Sequence, residues 1–145
     1  MVDMLAPIYE SAEKHDELEV AYIINGKINI VNKMKALMAS AKKEITFFVS
    51  YPMLFRDLEG ALREAQGRRI RLNVAMTEDM LKTENIKGLG DTRQLCCAVT
   101  LLIIDVKTLV TVTDLKFSET AMLSQDQNLI RVARDYYDNS MCYIP

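Results

Sequence analysis

The chain has 145 residues, of which 50% are hydrophobic and 26% are charged, with a formal net charge of -2. That length suits one folded domain, and the composition excludes a disordered or collagen-like chain. A charge so close to zero argues against a dedicated nucleic-acid-binding domain, since such domains usually carry a basic excess. No apolar run approaches the ~20 residues that cross a bilayer, so we expect a cytoplasmic protein without membrane contact.

Hydrophobic spacing predicts an alternation of helices and strands, because apolar residues recur every third or fourth position in some segments and lie side by side in others. The polar stretch 77–92 predicts a loop that holds one short helical turn. In chain order, the spacing predicts a helix at 6–17, strands at 20–24 and 45–49 with a helix at 28–43 between them, a helix at 53–66, a strand at 70–76, a strand pair at 94–104 and 108–113, and a helix at 125–138.

The order of these elements predicts an α/β fold. Strands that alternate with one-sided helices call for a parallel or mixed β-sheet flanked by helices. Right-handed crossovers place the two helices between the first three strands on one face of the sheet. We expect residues 1–19 to form an N-terminal connector or dimerisation helix, and residues 20–145 to form the domain itself.

Few residues in the chain suit catalysis or metal binding. Cys96, Cys97 and Cys142 lack the spacing of a zinc site, and adjacent cysteines on a strand point to opposite faces. We interpret them as small buried side chains. His15 is the only histidine, so a mechanism that needs two is excluded within one chain. We expect no metal and no cofactor.

Polar side chains follow three of the predicted strands, at the ends where ligands bind in open α/β sheets. Their donors and acceptors, with one aromatic ring and one cation, suit a small polar metabolite. The alternative is that these residues only cap helices and close turns. The candidate ligand-binding residues are Asn25, Lys27, Ser50, Tyr51, Thr77 and Asp79.

Arginines concentrate between positions 56 and 71, where Asp57, Glu59 and Glu64 are interleaved with them. We interpret this stretch as a solvated helix face, and we expect the chain alone to bind duplex DNA only weakly. The arginines are Arg56, Arg63, Arg68, Arg69 and Arg71.

The segment 98–113 resembles the strand pair of the phospholipase D superfamily. In that superfamily a strand carries a nucleophilic histidine, a lysine two residues later and an aspartate five residues after the lysine. Here Ala98 and Thr100 occupy the first two positions, and only Asp105 matches. Alanine cannot form a phospho-enzyme bond, and threonine supplies no positive charge for a phosphate oxygen. The resemblance implies a phospholipase D-like fold without its chemistry, so we expect that the chain is not an enzyme.

Residues 20–140 resemble the domain that the archaeal TrmB family of transcriptional regulators carries behind its winged helix. The segment 23–49 is similar to that family's strand, glycine turn, helix and strand entry, and the segment 58–74 to its leucine-rich helix, glycine and strand.

This second resemblance implies an effector-sensing domain that forms a homodimer, whose geometry changes when a small polar metabolite binds. It also implies that DNA is contacted only through a domain outside this chain. Two alternatives remain open: a phosphodiesterase or nuclease of the phospholipase D type, and an oligomerising adaptor that binds no ligand.

Overall fold

A seven-stranded sheet organises the part of the chain that the computed structural model describes, residues 21–95 and 98–139. The predicted helix 6–17 and the three cysteines lie outside the described residues. The elements are β1 Ala21–Asn25, α1 Lys27–Ser40, β2 Glu44–Val49, α2 Pro52–Gly67, β3 Arg71–Met76, α3 Glu78–Thr83, β4 Asp91–Gln94, β5 Leu101–Ile104, β6 Thr108–Asp114, β7 Thr120–Ser124 and α4 Gln127–Asn139.

The sheet is mixed, with the strand order β1-β7-β6-β5-β2-β3-β4. Strand β3 pairs in parallel with both β2 and β4, whereas the other four pairs are antiparallel. It follows that only β5 and β7 run against the other five strands. The predicted fold class, a parallel or mixed sheet flanked by helices, is confirmed.

Helices α1 and α2 cover one face of the sheet, as the right-handed crossovers predict. Each presents an apolar stripe at helical spacing, and both stripes pack into one core with the inward side chains of the strands. The buried residues of the two helices are Ile30, Val31, Met34, Met38, Leu54, Phe55, Leu58, Leu62 and Ala65.

Helix α4 covers only part of the opposite face. Its buried Ile130 and Tyr137 pack with Phe48 of β2 and Ala75 of β3. The Tyr137 hydroxyl donates to the Asp91 carboxylate at 2.8 Å, which fastens the end of α4 to the edge strand β4. Burial and this carboxylate both raise the pKa of the Tyr137 hydroxyl, so it stays a donor. Leu101 and Ile103 of β5 and Leu109 of β6 are buried in the same cluster, whereas Thr111 of β6 and Met122 of β7 are partly exposed on this face.

None of the described helices combines the length and the hydropathy that a membrane crossing requires.

Candidate functional site

The predicted ligand-binding residues all follow strands that end at one edge of the sheet, but the strand order divides them into two groups. Four inter-strand steps separate β1 from β2, which amounts to about 19 Å at ~4.8 Å per step. Asn25 and Lys27 therefore lie far from Ser50 and Thr77, and one small ligand cannot touch both groups.

Asn25 and Lys27 form backbone hydrogen bonds at the first turn of α1. The Asn25 carbonyl accepts a hydrogen bond from the Asn29 side chain at 2.8 Å, and the Lys27 N–H donates to the Glu119 carboxylate at 3.2 Å. Between them, Gly26 adopts a φ of 93° and donates its N–H to the Glu119 carbonyl at 2.8 Å. These bonds tie the first turn of α1 to the β6–β7 connection.

The other four residues come together beside the carboxyl ends of β2 and β3. Val49 and Met76 are paired in the parallel register, so Ser50 and Thr77 leave the sheet side by side. Tyr51 is partly buried against the core beneath α1 and α2. Asp79 is exposed in the first turn of α3 and supplies the one negative charge of the group.

A pair of hydroxyl groups joins this edge to the strand that resembles the phospholipase D motif. The Ser50 hydroxyl lies 2.8 Å from the Thr100 hydroxyl, which also accepts the Ser50 N–H at 3.0 Å. Thr100 is only 2% exposed, and its carbonyl accepts the Val112 N–H at 3.0 Å. In the sequence, Thr100 stands out only because it occupies the position of the motif lysine. Its hydrogen-bond partner, Ser50, is 50 positions away, so no local sequence pattern predicts the pair.

The remaining motif positions do not complete a catalytic set with this pair. Ala98 is exposed and offers no nucleophilic atom. Asp105 lies at the far end of β5, about 16 Å along the strand from Thr100 at ~3.3 Å per residue. Among the described residues, no group of three acidic, histidine or cysteine side chains is placed to hold a metal ion. The edge therefore offers neutral hydroxyls and one carboxylate to a ligand.

Asp105 has a structural role instead. Its carboxylate accepts the backbone N–H groups of Lys43 at 2.7 Å, and of Lys42 and Glu44 at 3.0 Å each. Partial burial opposes ionisation, but these three donors and the charge of Lys107 outweigh it and lower the pKa of Asp105. The ionised side chain ties the β5–β6 turn to the connection between α1 and β2.

An apolar groove of about 540 Å³ lies between α4 and side chains of β2, β5, β6 and β7 on this face of the sheet. Val99 lines the groove and directly precedes Thr100 of the hydroxyl pair in the sequence. Leu129 and Val132 of α4 stand exposed on its wall. The other lining residues are Phe48, Leu101, Leu109, Thr111, Met122, Ala133 and Tyr136.

No protein-family model and no curated protein matches the sequence, whereas solved structures do. The archaeal chromatin protein TrmBL2, whose structure shows a novel mode of DNA binding, superposes over 94% of this chain with a TM-score of 0.70 and 19% identity. NucT from Helicobacter pylori superposes over 83% with a TM-score of 0.67 and 14% identity. Phosphatidylserine synthase from Haemophilus influenzae Rd KW20 superposes over 86% with a TM-score of 0.55 and 11% identity.

These comparisons establish a phospholipase D-like fold. The chain spans 55% of the TrmBL2 chain, 94% of the NucT chain and 39% of the phosphatidylserine synthase chain. It therefore corresponds to about half of the TrmBL2 chain.

The same comparisons contradict the prediction that the chain is not an enzyme. The fold is shared with a nuclease, NucT, and with a phosphatidylserine synthase. That prediction is wrong because it treated the loss of two side chains, at Ala98 and Thr100, as the loss of all chemistry at this edge.

Proposed function

We propose that the chain is the effector-sensing and dimerising domain of a TrmB-like transcriptional regulator. The fold that it shares with TrmBL2 over 94% of its length supports this proposal. The DNA-binding domain of such a regulator would lie outside these 145 residues. The observation that supports dimerisation is the apolar groove beside α4.

A second copy of the chain is the occupant that the groove fits. A twofold interface uses the same surface on both copies, so that surface must offer both a ridge and a hollow. Here Leu129 and Val132 form the ridge, and the groove beside them is the hollow. A twofold rotation seats the ridge of each copy in the groove of the other and removes both from water.

A small polar metabolite bound near Ser50, Tyr51, Thr77 and Asp79 would act close to that interface, because Val99 lines the groove and directly precedes Thr100. A ligand that prefers one arrangement of the dimer shifts the population towards it. The domains attached to the two copies would then change their spacing, which is how binding would regulate DNA contact.

The dimer is tested by Val132→Glu, which puts a charge on the ridge at a side chain that is 67% exposed. We expect light scattering after size exclusion to give twice the chain mass for the wild type and the single mass for the variant. Ile28→Glu is the matched control, since Ile28 is 75% exposed on α1, away from the groove, and should leave the dimer intact. A monomeric wild type, or dimers in both variants, would rule out this interface.

The effector site is tested by thermal shift against free sugars, polyols, amino acids and nucleosides. A compound that stabilises the wild type should lose its effect in Ser50→Ala, which removes one hydroxyl of the buried pair. It should keep its effect in Lys27→Ala, because Lys27 lies four strand spacings away. If only Lys27→Ala abolishes the thermal stabilisation, the ligand binds at the start of α1 and not near Ser50.

A phosphodiester-processing enzyme is the second candidate, favoured by the two enzymes that share the fold. Its test is hydrolysis of bis-p-nitrophenyl phosphate and of plasmid DNA by the wild type and by Ser50→Ala. Hydrolysis by the wild type that is absent in Ser50→Ala would show that the hydroxyl pair takes part in catalysis. The regulatory function would then be rejected. Equal rates in protein and buffer would eliminate this second candidate.

A further inference from the structure

The edge of the sheet opposite the candidate ligand site gathers exposed cations from three separate parts of the sequence. Neither their spacing nor the net charge of -2 reveals this grouping. The five residues, named here the basic edge, are Lys42, Lys43, Arg69, Arg71 and Lys107.

Backbone contacts fix these residues as neighbours. The Arg71 N–H donates to the Lys43 carbonyl at 3.0 Å, which places the starts of β3 and β2 side by side. The Asp105 carboxylate binds the N–H groups of Lys42 and Lys43, and Lys107 follows in the same turn. The basic edge thus spans three adjacent strands, β5, β2 and β3, or about 10 Å at ~4.8 Å per step.

The basic edge keeps an excess of positive charge among the described residues, because its five cations outnumber the two acids near them, Asp105 and Glu44. None of its five side chains forms an ion pair there. Of the two nearby acids, Asp105 is ionised and offsets part of the charge of Lys107, and Glu44 lies 3.1 Å from the guanidinium of Arg134. By contrast, the guanidinium of Arg56 forms an ion pair with the Glu84 carboxylate at 3.0 Å, so its charge is paired.

Arg68 adds a sixth positive charge behind the basic edge. Its guanidinium donates to the carbonyls of Ala41 at 3.1 Å and Met38 at 3.0 Å, and so closes the end of α1. It contributes to the local field while its hydrogen bonds are used for structure.

We propose that the basic edge binds the phosphate backbone of duplex DNA without reading its bases. A row of cations about 10 Å long meets several successive phosphates, since each strand carries one about every 3.4 Å of helix axis. Single strands need aromatic stacking platforms, but the exposed rings of the described residues, Tyr22 and Phe117, lie on β1 and the β6–β7 connection. Stable membrane anchoring combines charge with a buried apolar surface, and among the described residues Val106 is the exposed large apolar side chain in the turns of the basic edge.

This inference extends DNA contact to the domain itself and does not depend on the proposed dimer or effector. Affinity should be weak and steeply salt-dependent, with a dissociation constant on the order of 10⁻⁴ to 10⁻⁶ M at physiological salt. Five phosphate contacts predict a slope of about -4.5 in the plot of log affinity against log salt, because each contact contributes about 0.9.

Fluorescence anisotropy of a labelled duplex, titrated between about 50 and 200 mM salt, measures that slope for the full chain. Replacing both lysines at the start of β2 by glutamine should make the slope shallower by about 2. Replacing four of the five cations should bring it to about -1. The two variants are Lys42→Gln/Lys43→Gln and Lys42→Gln/Lys43→Gln/Arg69→Gln/Arg71→Gln.

The control removes four positive charges from exposed lysines elsewhere, so it changes the net charge equally and should leave the slope unchanged. Circular dichroism confirms that each variant is folded. An equal loss in the control, or an unchanged slope in the fourfold variant, would overturn the proposal. Tighter binding to single-stranded DNA or to anionic vesicles than to the duplex would also overturn it. The control variant is Lys35→Gln/Lys82→Gln/Lys87→Gln/Lys116→Gln.

Discussion

At the scale of single residues, Asp105 shows how a motif position can keep its amino acid and serve the backbone. Asp105 and Val106 adopt φ values of 54° and 56°, a region that is unfavourable for a β-branched residue such as valine. The three N–H groups bound to the Asp105 carboxylate stabilise this turn. The residue that resembles a catalytic aspartate is thus placed to hold two loops together.

Asp105→Asn should lower the free energy of unfolding by about 1 to 2 kcal/mol at neutral pH, since hydrogen bonds to a neutral amide oxygen are weaker than those to an ionised carboxylate. The folded state lowers the pKa of Asp105, so its stabilisation is complete above the unfolded value of about 3.9 and disappears as pH falls through the folded pKa. Urea denaturation should show a gap between wild type and variant at pH 7 that closes in acid.

Asp57→Asn is the control for that experiment, because Asp57 is exposed on α2 and should change stability by less than about 0.5 kcal/mol. A gap of the same size at pH 7 and in strong acid would show that the negative charge of Asp105 does not stabilise the turn.

At the scale of elements, strand β4 begins directly after a glycine, Gly90, whose replacement is costly. Gly90 has a φ of 49°, and a Cβ there would lie 2.6 Å from the carbonyl oxygen of Leu72. Gly90→Ala should therefore lower the free energy of unfolding by about 2 to 4 kcal/mol, from backbone strain and a steric clash together. Thermal and urea denaturation measure this loss.

Gly88→Ala separates the two causes. Gly88 also has a positive φ, 73°, but a Cβ there meets no atom within 4 Å. It should cost only about 1 kcal/mol of backbone strain. If Gly88→Ala and Gly90→Ala lower the free energy of unfolding equally, the steric clash with Leu72 adds no measurable destabilisation.

Hydrophobic spacing predicted α1, α2, β2 and β3 to within a few residues, because each buries an apolar face in one core. It placed the end of α1 too late, at position 43, since the N–H groups of Lys42 and Lys43 bind Asp105 and the helix ends at Ser40. It missed β4 and β7. Strand β4 has the polar sequence Asp-Thr-Arg-Gln, and pairing with β3 defines it.

At the scale of the whole molecule, the candidate site was predictable only where neighbouring strands are also neighbours in sequence. Ser50 and Thr77 follow adjacent parallel strands, so their grouping as neighbours could be predicted, while their role in binding stays a prediction. Asn25 and Lys27 were grouped with them because β1 precedes β2 along the chain. Long-range pairing inserts β7, β6 and β5 between those two strands, and no local pattern carries that information.

The proposed dimer predicts that the melting temperature rises with protein concentration, since only the folded copies associate. Val132→Glu should abolish this dependence, whereas Ile28→Glu should keep it. Differential scanning fluorimetry over a wide concentration range measures both. A wild-type melting temperature that is constant with concentration would argue against an interface between folded copies.

The pairing of β1 with β7 has a consequence for how the chain is made. Asn25 pairs with Thr120, so the partner of the first described strand leaves the ribosome about 95 residues later. At roughly 5–20 residues per second, β1 waits about 5 to 20 s before it can join the sheet. During that interval the apolar Tyr22 and Ile23 are unpaired, and such a segment attracts other nascent chains. Slow synthesis should therefore increase aggregation of this protein, and early binding of β1 by a chaperone should prevent it.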